Sequence, residues 1–244
     1  MLFLRYIRIM QTFVGVDAHI DPRADDEHRP LQNCELIFYY TGFFRVIQSE
    51  RGTGMQIRLL DAAGARQLYE SRMARDFPPG ELKPFAAVEE LLAAGLYEPL
   101  TFTDDAGAVL AYAWQVVLPS QQAGLVDYFA VRSDLRGSGI GTRALHLLQT
   151  HYAPRLAALL LECEHPAEAP DASVARRRIG FYLRAGARAT ALESRVFGAR
   201  YAILQLPCGE AALPDSALNT ALQTLYSRMV PQLYYRGSVI FYGN

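Results

Sequence analysis

From position 56 onward, apolar residues recur with one of two periods, and each change of period marks a new element. Gln56-Ile57-Arg58-Leu59-Leu60 reads as a first strand. Asp61 suits an N-cap, and Ala62, Ala65, Leu68, Tyr69 and Arg72 carry a helix to about Arg75. Phe77-Pro78-Pro79-Gly80 breaks it, Pro84 fits the first turn of a helix over 85–94, and Gly95 terminates that helix. Strands over 99–103 and 108–118 flank Asp104-Asp105-Ala106-Gly107, a hairpin signal, and a strand over 124–132 follows Pro119. The apolar run 157–164 reads as a strand buried on both faces, which places Glu162 and Glu164 on one side and Cys163 on the other. A helix over 174–185, entered through Ser173, precedes strands near 187–192 and 200–206. Asp215 to Met229 forms a helix with Leu218, Leu222, Leu225 and Met229 in one stripe, and Gly237 to Tyr242 reads as a last strand. The order predicts an α/β fold: a mixed, mostly antiparallel twisted sheet with flanking helices.

The most informative stretch runs from Val126 to Leu145. A strand-like segment leads through a short charged turn to Arg136-Gly137-Ser138-Gly139-Ile140-Gly141-Thr142, and a helix begins inside the glycine run. The first N–H groups of a helix lack partners and carry the positive end of its dipole, so this unit is a seat for a phosphate. Glycine allows close backbone approach and φ > 0, and Arg136 adds a fork of donors that suits phosphate oxygens. A Walker loop would need Lys followed by Ser or Thr after the last glycine, where Thr142-Arg143 stands. A dinucleotide fingerprint would need glycine at 142, and the antiparallel hairpin 99–118 does not fit a doubly wound nucleotide fold.

Arg136-Gly137-Ser138-Gly139-Ile140-Gly141 resembles the (Arg/Gln)-x-x-Gly-x-(Gly/Ala) loop with which the GNAT-type N-acetyltransferase superfamily binds the pyrophosphate of acetyl-CoA. Downstream, Phe181-Tyr182-Leu183-Arg184-Ala185-Gly186-Ala187 is similar to that superfamily's Phe-Tyr-x-x-x-Gly-Phe motif, with Ala187 where an aromatic is usual. The resemblance covers residues 55–206 and implies an acyl-CoA N-acyltransferase fold. It also implies transfer of an acetyl group from acetyl-CoA to a primary amine, by direct attack in a ternary complex. On that resemblance the backbone from Arg136 to Thr142 holds the donor. Phe129 and Val131 pair with the pantetheine arm, an N–H near Val131 polarises the thioester carbonyl, and Tyr182 protonates the leaving thiolate. Glu162, Glu164, Asp127 and His165 all fall where the cleft would lie as bases for the amine. Glu162 is favoured because a carboxylate ending an apolar strand tends toward a raised pKa. Arg176-Arg177-Arg178 reads either as a grip on the 3′-phosphate of CoA or as a solvated helix start.

Composition narrows the rest. With 244 residues and 51% hydrophobic content the chain can bury a substantial core. A net charge of −1 gives no electrostatic footprint for nucleic acid. The acceptor that the resemblance implies is a small-molecule or peptide amine. Cys34, Cys163 and Cys208 form no Cys-x-x-Cys pair, so neither a disulfide framework nor a metal site is indicated. No run of eighteen apolar residues and no signal-peptide pattern is present, so no membrane partner is expected and a cytoplasmic enzyme is the consistent reading. A non-catalytic acyl-CoA-binding module with a partner-binding C-terminal addition is the alternative. Residues 1–54 read as an extension outside the catalytic fold, with Met55 as a candidate true start. Residues 207–244 form an appended helix and strand that would complete the sheet, cover the acceptor cleft or join a homodimer. Deleting residues 1–54 is expected to leave the thermal midpoint and activity close to those of the full chain; a large loss of either would place the segment in the fold.

Overall fold

The computed structural model describes residues 54–209 and 211–243, so the expectation for residues 1–53 lies outside them. The polar break at Asp61 works as the sequence suggests. Strand β1 (Gln56–Leu59) ends, and the Asp61 carboxylate accepts the Gly64 N–H at 2.8 Å to start α1 (Ala62–Leu68). That helix continues through a π-helical stretch (Tyr69–Met73) and a closing turn (Ala74–Asp76). Helix α2 (Phe85–Ala93) begins after Pro84, and β2 (Tyr97–Thr103) begins two residues earlier than the pattern implied. Pro99 is tolerated there because its carbonyl accepts from Leu60 on the β1 side. Its missing N–H therefore takes nothing from the ladder to β3 (Val109–Leu118).

Next come β4 (Ala123–Val131), α3 (Ile140–Tyr152), β5 (Ala158–Glu164) and α4 (Ala172–Arg184). Helix α4 starts earlier than Ser173 because the Asp171 carboxylate accepts both the Ser173 and Val174 N–H groups. Strand β6 (Arg188–Val196) runs four residues past its expected inner end, β7 (Ala199–Pro207) begins one residue early, and the two meet in a two-residue turn. Phe197 at φ 48° and Gly198 at φ 90° both lie in the left-handed region, as a type I′ hairpin demands. A phenylalanine there is an uncommon turn residue, which hid the hairpin from the sequence pattern.

The strands form one eight-stranded sheet in the order β1-β2-β3-β4-β5-β7-β6-β8. Only β4 and β5 are parallel; every other neighbouring pair is antiparallel. Helix α5 (Asp215–Met229) packs on the sheet, and the short α6 (Gln232–Ser238) leads to β8 (Val239–Tyr242). The predicted final strand over 237–242 is thus shorter, because Pro231 opens a helix that persists through Ser238. Strand β8 pairs with β6 and completes the sheet edge.

Two apolar layers enclose the sheet. One holds α1, α2 and α5 against Tyr112, Trp114, Leu125, Tyr128 and Leu160. The other holds α3 and α4 against Leu100, Phe102, Leu159, Leu161 and Cys163. Among the described residues, no helix is long and apolar enough to cross a membrane. Leu218, Leu222 and Leu225 of α5 are buried to within 1% exposure, so the helix is part of the core. Replacing Leu222 by Ala is expected to lower unfolding free energy by about 2–5 kcal/mol in urea titrations. A loss well under 1 kcal/mol, on the order of a surface substitution, would show that α5 merely rests on the sheet.

Candidate active site

The parallel pairing of β4 with β5 begins at Ala123↔Ala158 and stops at Val126↔Leu161, although both strands continue. The cause lies on the other side of β4. There Gln115 of β3 pairs with Val126 and Trp114 with Tyr128, so Asp127 is an extra residue without a partner. A bulge bends its strand and increases the local twist, which carries β4 away from β5 just where pairing ends. Arg132 N–H donates to Leu110 O, which fixes the direction of the backbone groups beyond the bulge. By alternation, the N–H and C=O groups of Phe129 and Val131 point into the gap left by β5. Arg136 Nε donates to Val131 O across 3.4 Å, consistent with that direction.

At the end of β4 a short 3-10 turn (Ser133–Leu135) leads into the glycine run. Gly137 and Gly139 take φ of +82° and +84°, and no heavy atom lies within 4 Å of where a Cβ would stand. Ser138 Oγ donates to Leu135 O at 2.6 Å and braces the loop. Gly139 is the N-cap of α3 and carries no side chain, so the first N–H groups of the helix are capped by none. No acidic residue occupies the first turn. Gly141 is small for another reason, since a Cβ there would stand 3.0 Å from Phe181 Cζ and 3.3 Å from Val131 Cγ2. Its bare backbone lets α3, α4 and β4 meet beside the gap. A backbone cradle, a cationic fork and open space above two glycines fit a diphosphate.

Tyr182 lies on the α3–α4 side of the gap, 9% exposed, with its ring centroid 6.4 Å from Phe129 and 5.1 Å from Phe181. Its hydroxyl donates to no protein group among the described residues, and burial pushes its pKa above the ordinary phenol value. Phe129 stacks on Phe181 at 6.3 Å. Cys163 faces the same layer, and burial raises its thiol to about 12, which leaves it protonated and inert at neutral pH. Ala187, where the motif usually has an aromatic, is buried and donates its N–H to Tyr182 O at 2.9 Å.

The carboxylates lie on the opposite face, with α1, α2 and α5. Asp127 receives Lys83 Nζ on both oxygens, at 2.6 and 2.8 Å, and the Tyr97 hydroxyl at 2.5 Å. Glu162 accepts Ser194 Oγ at 2.9 Å and the Tyr226 hydroxyl at 2.5 Å. Burial raises its pKa, Asp127 adds to the rise, and the two hydroxyls and Lys83 oppose it. Glu164 sits 3.5 Å from Arg178, so one arginine of the 176–178 run pairs within the fold. Glu81, at the exposed mouth, has its pKa raised by lost hydration and by Glu164. His165 turns away to Glu193, 3.6 Å distant, so of the four expected bases the structure groups Asp127, Glu162 and Glu164 and leaves His165 aside.

Sequence reasoning missed Lys83, Tyr97, Ser194 and Tyr226. For the last three no signal existed, since distant elements bring them in. For Lys83 there was one: it is the sole lysine of the chain, all other basic side chains of that length being arginine.

No protein-family model matches the chain. An 87-residue stretch is 33% identical to an uncharacterised protein of Dictyostelium discoideum; the match covers 36% of this chain and 19% of that protein. Among solved structures, a GNAT-family acetyltransferase of Bacteroides thetaiotaomicron superposes with a TM-score of 0.56 at 19% identity, over 70% of this chain and 96% of that one. The ribosomal-protein-S18-alanine N-acetyltransferase of Escherichia coli gives 0.46 at 20% identity, over 65% and 96%. Spermidine N-acetyltransferase of Vibrio cholerae, solved with CoA and spermine, gives 0.49 at 10% identity, over 68% and 99%. The architecture is the fold seen in that Bacteroides protein: a mostly antiparallel sheet opened beside a glycine-rich helix start. The chain has the GNAT fold.

The raised Glu162 carboxyl has a consequence for stability. A group that binds its proton more tightly folded than unfolded stabilises the fold at low pH and loses that contribution as pH rises through its folded value. Stability should therefore decline from pH 4.5, the ordinary value, upward. Glu162→Gln should remove this component of the decline in urea titrations between about pH 5 and about pH 8. An identical pH profile in the variant would show that Glu162 titrates normally.

Proposed function

We propose that the chain is an N-acetyltransferase that moves an acetyl group from acetyl-CoA to a primary amine by direct attack in a ternary complex. The observation that carries this reading is the parting of β4 from β5 at Asp127. It leaves the backbone at Phe129 and Val131 without a neighbouring strand on that side, leading straight to the uncapped start of α3. In this reading the diphosphate rests on the N–H groups between Arg136 and Thr142 with the Arg136 guanidinium beside it. The pantetheine amides pair with Phe129 and Val131 as a replacement strand. The N–H of Val131 or a neighbour points at the thioester oxygen, where a preorganised donor is worth about 3–4 kcal/mol of transition-state stabilisation.

The amine enters from the α1–α2 face, where the carboxylates of Glu81, Asp127, Glu162 and Glu164 favour a cationic small-molecule or peptide acceptor. Glu162 takes the amine's proton, directly or through a water: its raised pKa brings it nearer to a useful base at neutral pH than an ordinary carboxylate. The amine attacks the thioester carbon, the C–S bond breaks, and Tyr182 protonates the thiolate. Burial keeps that phenol protonated well above neutral pH, and its hydroxyl has no competing protein acceptor among the described residues.

Incubating the chain with acetyl-CoA and a panel of amines, while following free CoA thiol, tests the reading. Turnover on at least one amine is expected; tight CoA binding without turnover on any would favour a binding module. Tyr182→Phe should lower kcat by about 10²-fold with little change in acetyl-CoA affinity, and an unchanged kcat would take Tyr182 out of the mechanism.

A further inference from the structure

The chain's one lysine is not on the surface. Its side chain is 12% exposed, and that of its partner Asp127 is 11% exposed. Two tyrosines hold the segment that delivers it. Tyr128 OH accepts the Lys83 N–H at 2.8 Å and donates to Glu81 O at 3.0 Å. Tyr69 OH donates to Lys83 O at 2.8 Å. The ammonium lies 5.3 Å from the centroid of the Tyr128 ring and bonds to both oxygens of the residue at which β4 parts from β5. Among the described residues the other ion pairs use arginine, which keeps its proton at any ordinary pH, or, at Glu193, the imidazole of His165. Among the described ion pairs only this one has as its cation a primary amine, which on losing a proton becomes a nucleophile that forms a stable amide. The apex of the gap therefore already holds a primary amine on a carboxylate.

We propose that Lys83 is an internal acceptor: the loaded protein transfers an acetyl group to Nζ of its own Lys83. This rests on the acetyl-CoA reading above and adds a site of modification to it. The balance is that of the external reaction. The Nζ lone pair attacks the thioester carbon, an amide C–N bond forms and the C–S bond breaks. Of the two protons the ammonium gives up, one passes to Asp127 and on to solvent. The other balances the proton that Tyr182 supplies to the departing thiolate. The products are Nζ-acetylated Lys83 and free CoA thiol, and the modified side chain leaves Asp127 without its cation.

The test uses the full-length protein with isotopically labelled acetyl-CoA and no added amine, followed by peptide mapping. One acetyl group per chain is expected on Lys83, with a first-order rate independent of protein concentration. The urea-unfolded chain and Lys83→Arg should carry none at this position. Label confined to the N-terminal amine, an unmodified Lys83, or equal labelling of the unfolded chain would overturn the proposal. A parallel assay with external amines separates the two layers. CoA release with an amine but no label on Lys83 refutes self-acetylation alone. Failure to bind acetyl-CoA refutes the reading beneath it as well.

Discussion

One surplus residue governs the middle of this protein. A continuous ladder between β4 and β5 would bury every backbone group of both strands and leave no opening in the sheet. Because Asp127 has no partner on β3, β4 bends out of the ladder after Val126 and its outward N–H and C=O groups at Phe129 and Val131 face no neighbouring strand. Unpaired strand backbone in the interior of a sheet is costly unless something pairs with it. Under the proposed function the gap is also the template for an extended, amide-bearing ligand. The same bend aims the end of β4 at the glycine run, so the cradle and the template form one continuous surface.

The opening joins two chemically different faces. Toward α3 and α4 the lining is aromatic and apolar, with Phe129, Phe181 and Tyr182 packed around it and a single unpartnered hydroxyl among the described residues. Toward α1, α2 and α5 it is ionic, and a carboxylate pair is held by hydroxyls and by one ammonium. That division suits a reaction with a bulky apolar-armed donor and a cationic acceptor arriving from opposite sides. It also explains why the C-terminal helix belongs to the core. Tyr226 on α5 supplies the shorter of the two hydrogen bonds to Glu162, and Asp215 at its start accepts the Ala191 N–H of the irregular β6 at 2.8 Å.

Much of this was legible in the residues. Strand and helix order, the Asp61 cap, the hairpin over 99–118 and the helix start inside the glycine run follow from local rules of period, cap and turn. The distinct duties of the glycines were only half legible. Positive φ at Gly137 and Gly139 is a local property, whereas Gly141 is small because Phe181, forty residues away, packs against it. Where the local signal was unconventional, the boundaries moved. Phe197 in a type I′ turn concealed the length of β6, and Asp171 displaced the start of α4.

By itself the amino-acid sequence determined the class of fold, the start of α3 inside the glycine run and the side of β5 on which Glu162 and Glu164 lie, because each depends on neighbours within a few residues. Tertiary structure alone decided that Asp127 is a bulge, that Lys83 reaches it, and that Glu162 meets Ser194 and Tyr226 whereas His165 meets Glu193. Those outcomes depend on the register between strands and on loops arriving from forty or more positions away. No local periodicity encodes which residue of a strand will be left without a partner.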